Sequence, residues 1–177
     1  MMKKYIYEKE QKITCVATVV VCMIDVEKSV KNRKTKLPRI SRILLVLRND
    51  VNNLKAVDCV ATLANSDSKV YILYTVDVEP IPMDDKVERE FYGKLRRDGK
   101  KIVEDAMNRL RGAGIDAEFY DMHIGIAAER ILKAEKELAP DIIVMGVRGL
   151  SMFKKMFLGS ISEEVTKNAR TPILLVK

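Results

Sequence analysis

"DIIVMGVRGLSMFKKMFLGSISEEV", residues 141–165, runs from an apolar block through a glycine-bearing loop into a helical pattern. The block "DIIVMG" is continuously apolar after one acid, as expected of a short strand buried on both faces. Gly146 and Gly149 are separated by two residues, and nine more lie between Gly149 and the pair Gly159-Ser160. Three of the chain's eight glycines fall in this stretch. Glycine lets backbone amides approach a ligand closely, and a helix start with small residues favours anions through its free N–H groups. Ser160 followed by Glu163 also has the spacing of a capping box. On these grounds the loop is either a phosphate cradle or a flexible connection into a capped helix.

The flanking chain repeats the same strand-then-helix plan. "RILLVL", 42–47, is a buried strand, followed by Leu54, Val57, Ala61 and Ala64 at helical spacing over about 51–65. "VYILYTV", 70–76, is a second strand. A loop with Pro80 and Pro82 precedes a long helix marked by Val87, Phe91, Leu95, Ile102, Ala106 and Leu110, which Gly112 and Gly114 end. "IDAEFYDMHI", 115–124, alternates partially and reads as an edge strand. Ala127, Ile131, Ala134 and Leu138 mark a third helix, closed by Pro140. A helix over about 160–170 leads to a last strand, "TPILLVK". This order predicts an α/β fold: an open, doubly wound, mostly parallel five-stranded sheet with helices on both faces. Ligands of such sheets bind at the carboxyl ends of strands where strand order reverses, and the glycine loop leaves one such end.

Charge divides the chain at about residue 40. Residues 1–40 hold ten Lys and Arg against four Asp and Glu, whereas residues 41–177 hold 22 against 21. The net charge of +7 therefore belongs mostly to an N-terminal extension, preceding a nearly neutral domain at 41–177. Within the extension, "ITCVATVVVCMI", 13–24, is too short to span a bilayer as a helix, and its Val, Ile and Thr content favours an extra strand or a partner-binding arm over a membrane-directed segment. "KSVKNRKTKLPR", 28–39, carries six basic residues and no acid. It reads as an exposed linker, with contact to nucleic acid or an anionic surface as the sharper alternative. The three cysteines, Cys15, Cys22 and Cys59, lack metal-site spacing, and their odd number suits buried free thiols in a reducing cytoplasm.

The spacing Gly146-x-x-Gly149, nine residues, Gly159-Ser160 resembles the nucleotide-binding signature of the universal stress protein family. "DIIVMGVRG", "LGSISEEV" and "TPILLVK" resemble that family's wording, as does Gly125 before the third helix, and the likeness covers residues 41–177 in order. The resemblance implies that Gly146, Gly149, Gly159 and Ser160 contact the ribose and phosphates of ATP, or of ADP or AMP. Arg148 and Ser162 are implied as neighbours of the phosphates, with Mg on a triphosphate. Thr75 falls where the family's backbone meets the adenine. The family also implies a homodimer through the C-terminal strand, 172–176, so that a charge at Leu175 would give monomers or insoluble protein.

One position departs from the pattern. Nucleotide-binding members carry an aspartate at the end of the first strand, and Arg48 stands there. A guanidinium accepts no hydrogen bond from ribose hydroxyls. Either Asp50 takes over, or Arg48 reaches a phosphate, or the pocket takes a different nucleotide or none. No adjacent nucleophile and base occur in the sequence, and the GxxxxGK[ST] and GxGxxG loops are absent. His123 reads as a structural histidine, with a phosphate contact as the alternative, and the pair Asp84-Asp85 as solvated loop acids. The expectation is a cytoplasmic binding and regulatory module with at most slow ATP hydrolysis. The alternative is a dimer of the same fold without nucleotide, serving protein interactions.

Overall fold

The structure, a computed structural model, describes residues 40–49, 53–79, 82–147 and 160–176. Nine elements alternate along them. They are β1 (Arg42–Arg48), α1 (Asn53–Leu63), β2 (Lys69–Asp77), α2 (Asp85–Gly112), β3 (Asp116–Gly125), α3 (Ala127–Leu138), β4 (Ile142–Gly146), α4 (Ser160–Asn168) and β5 (Ile173–Val176). The strands form one sheet in the order β3-β2-β1-β4-β5, and all four pairings are parallel.

β1 is the middle strand, and Ile43 to Leu47 are each at most 1% exposed. Side chains on a strand alternate between faces, and here the two sets enter two cores. Ile43, Leu45 and Leu47 pack with Ala56, Val57 and Val60 of α1 and with Val103, Ala106 and Leu110 of α2. Leu44 and Val46 pack with Ala127, Ile131 and Ala134 of α3 and with Ile161 and Val165 of α4. An apolar run without alternation is thus what a strand with helices on both faces requires.

Several boundaries differ from expectation for local reasons. Asp141 precedes β4 rather than opening it, because its Oδ2 accepts hydrogen bonds of 2.8 Å from the backbone N–H groups of both Ser41 and Arg42. Asp84, expected as a solvated acid, is the N-cap of α2 and accepts from Lys86 N at 2.9 Å. Ser160 is the first helical residue of α4. Glu163, the acid of the expected box, accepts from Lys167 Nζ through Oε1 at 2.7 Å, one turn on. The weak alternation of β3 also has a cause. Its register with β2 shifts between Ile72 and Leu73, whose partners are Phe119 and Asp121, leaving Tyr120 as an extra residue. Gly125 closes β3 at φ +152° instead of opening α3. Leu175 is 1% exposed within its own subunit, so a charge there would disrupt this core before it tested any dimer. Residues 1–39, with the expected strand at 13–24 and the basic tract 28–39, lie outside the described residues.

Two packing details carry measurable consequences. Gly99, in the middle of α2, faces the buried ring of Tyr74, and a Cβ there would stand 2.4 Å from Tyr74 Cε1 and 2.8 Å from Cδ1. Alanine would gain about 1 kcal/mol of helix propensity, but overpacking a core costs about 1–3 kcal/mol, and a ring with no exposed face has nowhere to move. Gly99→Ala is expected to lose up to about 2 kcal/mol net in urea unfolding. Glu135 of α3 is also buried, and its Oε1 accepts from the backbone N–H groups of Arg170 at 2.7 Å and Thr171 at 2.6 Å. Glu135→Ala strands both donors, and the same measurement should register a loss of about 2–3 kcal/mol.

Candidate functional site

Strand order reverses between β1 and β4. The chain leaves β1 for α1 on one face of the sheet, and it leaves β4 towards α4 on the other. The two connections therefore diverge at the carboxyl ends of this pair, the place where open sheets of this kind bind ligands. Arg48 ends β1, and Gly146 ends β4. Gly146 is buried, and its register partner is Val176 of β5. The next residue, Val147, donates its N–H to Val176 O at 2.9 Å.

The end of β1 is held by α1. Asn53 Oδ1 accepts from Arg48 N at 2.9 Å, and Asn53 Nδ2 donates to Arg48 O. One side-chain amide thus satisfies both backbone groups of the strand's last residue. Sequence reading did not single out Asn53, although an Asn next to a strand end is a frequent backbone partner.

Arg48 pairs in register with Thr75 of β2, and Thr75 with His123 of β3. Cross-strand partners share a face, so a guanidinium, a hydroxyl and an imidazole lie in one row near the carboxyl edge. Thr75 has no exposed surface, and its Oγ1 has no hydrogen-bond partner among the described residues. The His123 ring stacks close to the backbone of Gly125, where a Cβ would come within 2.9 Å of Nε2. This contact, together with the positive φ, accounts for the glycine at 125.

The helices begin at this same edge, and the N-termini of α3 and α4 lie on the face that carries the row of Arg48, Thr75 and His123. Pro172 O accepts from Ile143 N at 2.9 Å, which fixes the entry to β5 at the amino edge of the sheet and turns α4 back so that its first residue faces the carboxyl edge. Ser160 there is exposed, while Ser162 is 2% exposed. Thr166 Oγ1 donates to Ser162 O at 2.6 Å. The N-terminus of α3 is already engaged, because Asp77 Oδ1 at the end of β2 accepts from Ala127 N at 3.1 Å. A carboxylate at a helix start is favourable, and Asp77 takes that place at α3.

Of the nine residues expected at the site, Arg48, Thr75, Gly146, Ser160 and Ser162 are described, and they gather at this one edge. Asp50, Arg148, Gly149 and Gly159 lie outside the described residues. Among the described residues no cluster of three or more His, Cys, Asp or Glu side chains could hold a metal ion. No helix among them is long and apolar enough to cross a membrane.

Known proteins place this arrangement. A universal stress protein of Methanocaldococcus jannaschii is 29% identical over 132 residues, which span 73% of this chain and 76% of that protein. The solved structure of protein MJ0577, from the same organism, superposes with a TM-score of 0.67 at 27% identity, covering 79% of this chain and 97% of the other. A universal stress protein family protein from Arabidopsis thaliana, solved with AMP bound, shares the fold at a TM-score of 0.57 and 19% identity, over 77% of this chain and 91% of the other. The model of the universal stress protein family matches residues 39–177, all the described strands and helices included, and the chain belongs to that family.

Proposed function

We propose that this chain binds ATP or a related nucleotide, ADP or AMP, in the crevice at the carboxyl ends of β1 and β4, and that it serves as a homodimeric regulatory module of the cytoplasmic stress response. The observation that carries the reading is a coincidence of sequence and topology. The segment spaced Gly146-x-x-Gly149, nine residues, Gly159-Ser160 leaves the sheet at its point of strand reversal. A fold-mate carrying AMP supports the ligand class.

In this reading Gly146 and Gly149 bring backbone amides to the phosphates without a Cβ in the way. Gly159, Ser160 and the start of α4 add free N–H groups and a favourable dipole. Arg148 and Ser162 flank the phosphates. The buried hydroxyl of Thr75 is a polar atom that the apolar packing around it does not use, and it fits the adenine side of the crevice. Magnesium, where a triphosphate is bound, would sit on phosphate oxygens, since such ions keep few protein ligands.

Arg48 favours a second reading, in which the chain keeps the family's dimeric fold without nucleotide and acts through protein contacts. The end of β1 presents a cation where ribose hydroxyls would need an acceptor, with Asp50 the nearest carboxylate in sequence. Calorimetric titration with ATP, ADP and AMP, with and without Mg, separates the two readings. Binding heats that disappear in Gly159→Asp are expected, because a carboxylate at the helix start would repel the phosphates. Absence of heat with all three nucleotides would favour the second reading.

The dimer is proposed through the free edge of β5. The half-buried Leu174 is the β5 side chain with access to that surface, since Ile173, Leu175 and Val176 are buried. Sedimentation of the intact chain is expected to give a dimer that Leu174→Lys weakens while the circular dichroism spectrum is kept. A monomeric intact chain at micromolar concentration would count against this assembly.

A further inference from the structure

The two edges of the sheet are finished differently. β5 has four residues, three of them buried by the helices on both faces. β3, the opposite edge, has ten residues and none of them is buried. Phe119, midway along it, is 45% exposed. Among the described residues nothing pairs with the outer side of β3. A long edge strand with an exposed aromatic invites a further strand.

The chain supplies a segment of matching length and chemistry. "ITCVATVVVCMI", 13–24, is twelve residues of strand-favouring composition, long enough for β3 and three times the length of β5. It is tied to the sheet through Ile40, which leads into β1. Ser41 O accepts from Lys69 N at 2.7 Å, and Lys69 is in register with Asp116 at the start of β3. The amino ends of β1, β2 and β3 therefore stand side by side, and a strand beyond β3 would lie about 15 Å from β1 at the usual strand spacing. Residues 25–39 can reach about 50 Å when extended, so the tether is ample.

Charge and direction agree. The tether, residues 25–39, holds six basic residues against Asp25 and Glu27, and it must pass Asp116 where β3 begins, beside Glu118, whose Oε2 pairs with Lys69 Nζ at 2.7 Å. A parallel arrangement needs a crossover to carry the chain back along the sheet, normally a helix. The tether has no helical apolar face and includes Pro38. An antiparallel strand needs no crossover, because it ends beside the same amino edge where β1 begins.

We propose that residues 13–24 add to the outer edge of β3 as a sixth, antiparallel strand. The charged tether then crosses the acidic start of β3, and Phe119 is covered by the added strand. With Cys22 opposite Phe119, this arrangement sets Ile24 opposite Ala117 and Cys15 towards Gly125.

The two native thiols of the segment make the register testable in the full chain. Under mild oxidation Phe119→Cys is expected to bridge to Cys22 within one chain, as read by peptide mass mapping without reduction. Adding Val19→Lys and Val21→Lys should slow that bridging roughly tenfold, by lowering the local concentration of the thiol. In the unsubstituted chain, the β3 amides turned away from β2 should exchange with deuterium slowly. A bridge between two chains would identify a second copy as the occupant and overturn the proposal. Bridging to Cys15 in preference to Cys22, or fast exchange of those β3 amides in the unsubstituted chain, would overturn it as well.

Discussion

The burial of β1 on both faces and along both edges is the constraint from which the rest follows. Its five central residues have almost no exposed surface, and it pairs with β2 on one side and β4 on the other. Each buried Leu, Ile or Val contributes about 1.5–3 kcal/mol, and that gain requires helices over both faces. The chain meets the requirement by winding one way from β1 through α1, β2 and α2 to β3, and the other way through α3, β4 and α4 to β5. A strand reversal beside β1 is the geometric result, so the crevice comes from covering the core rather than from anything local to the glycine loop.

The two edges of the sheet divide the work. At the amino edge, backbone groups are tied across elements: Asp141 to Ser41 and Arg42, Arg42 Nη1 to Leu138 O at 3.1 Å, Ser68 Oγ to Ile40 O at 2.7 Å, and Glu135 to Arg170 and Thr171. Carboxylates accepting from backbone N–H groups make strong, directional ties. At the carboxyl edge, among the described residues, Asn53 holds Arg48 and Asp77 holds the start of α3 at Ala127.

Much of this plan was legible in the residues. Apolar runs without alternation gave the inner strands because two covered faces leave no reason for polar residues. The edge position of β3 was legible for the converse reason. What could not be read were contacts set by tertiary approach. Gly99, in the middle of α2, is where the ring of Tyr74 sits, a contact that no helical pattern announces. Asp84 reads as a solvated acid and Asp141 as the opening of a strand, yet each satisfies backbone donors that exist only once α2 and the β1–β4 pair have formed. The candidate site was legible mainly through spacing, since Gly146 and Ser160 are separated by a segment whose composition alone suits a plain connection equally well.

Thr75 is the residue of β2 that packing explains least. Its neighbours Tyr74 and Val76 belong to the core beneath α1 and α2, and Leu73 to the opposite core. Thr75 is as buried as they are, but its hydroxyl has no partner among the described residues. Leaving such a group unsatisfied costs about 1–3 kcal/mol, whereas valine would fill nearly the same volume without that loss. Ser68, equally inaccessible at the amino edge, spends its hydroxyl on Ile40 O. The Thr75 hydroxyl, left over at the carboxyl edge among the described residues and in register with Arg48, is thus the polar atom best placed for the ligand proposed there.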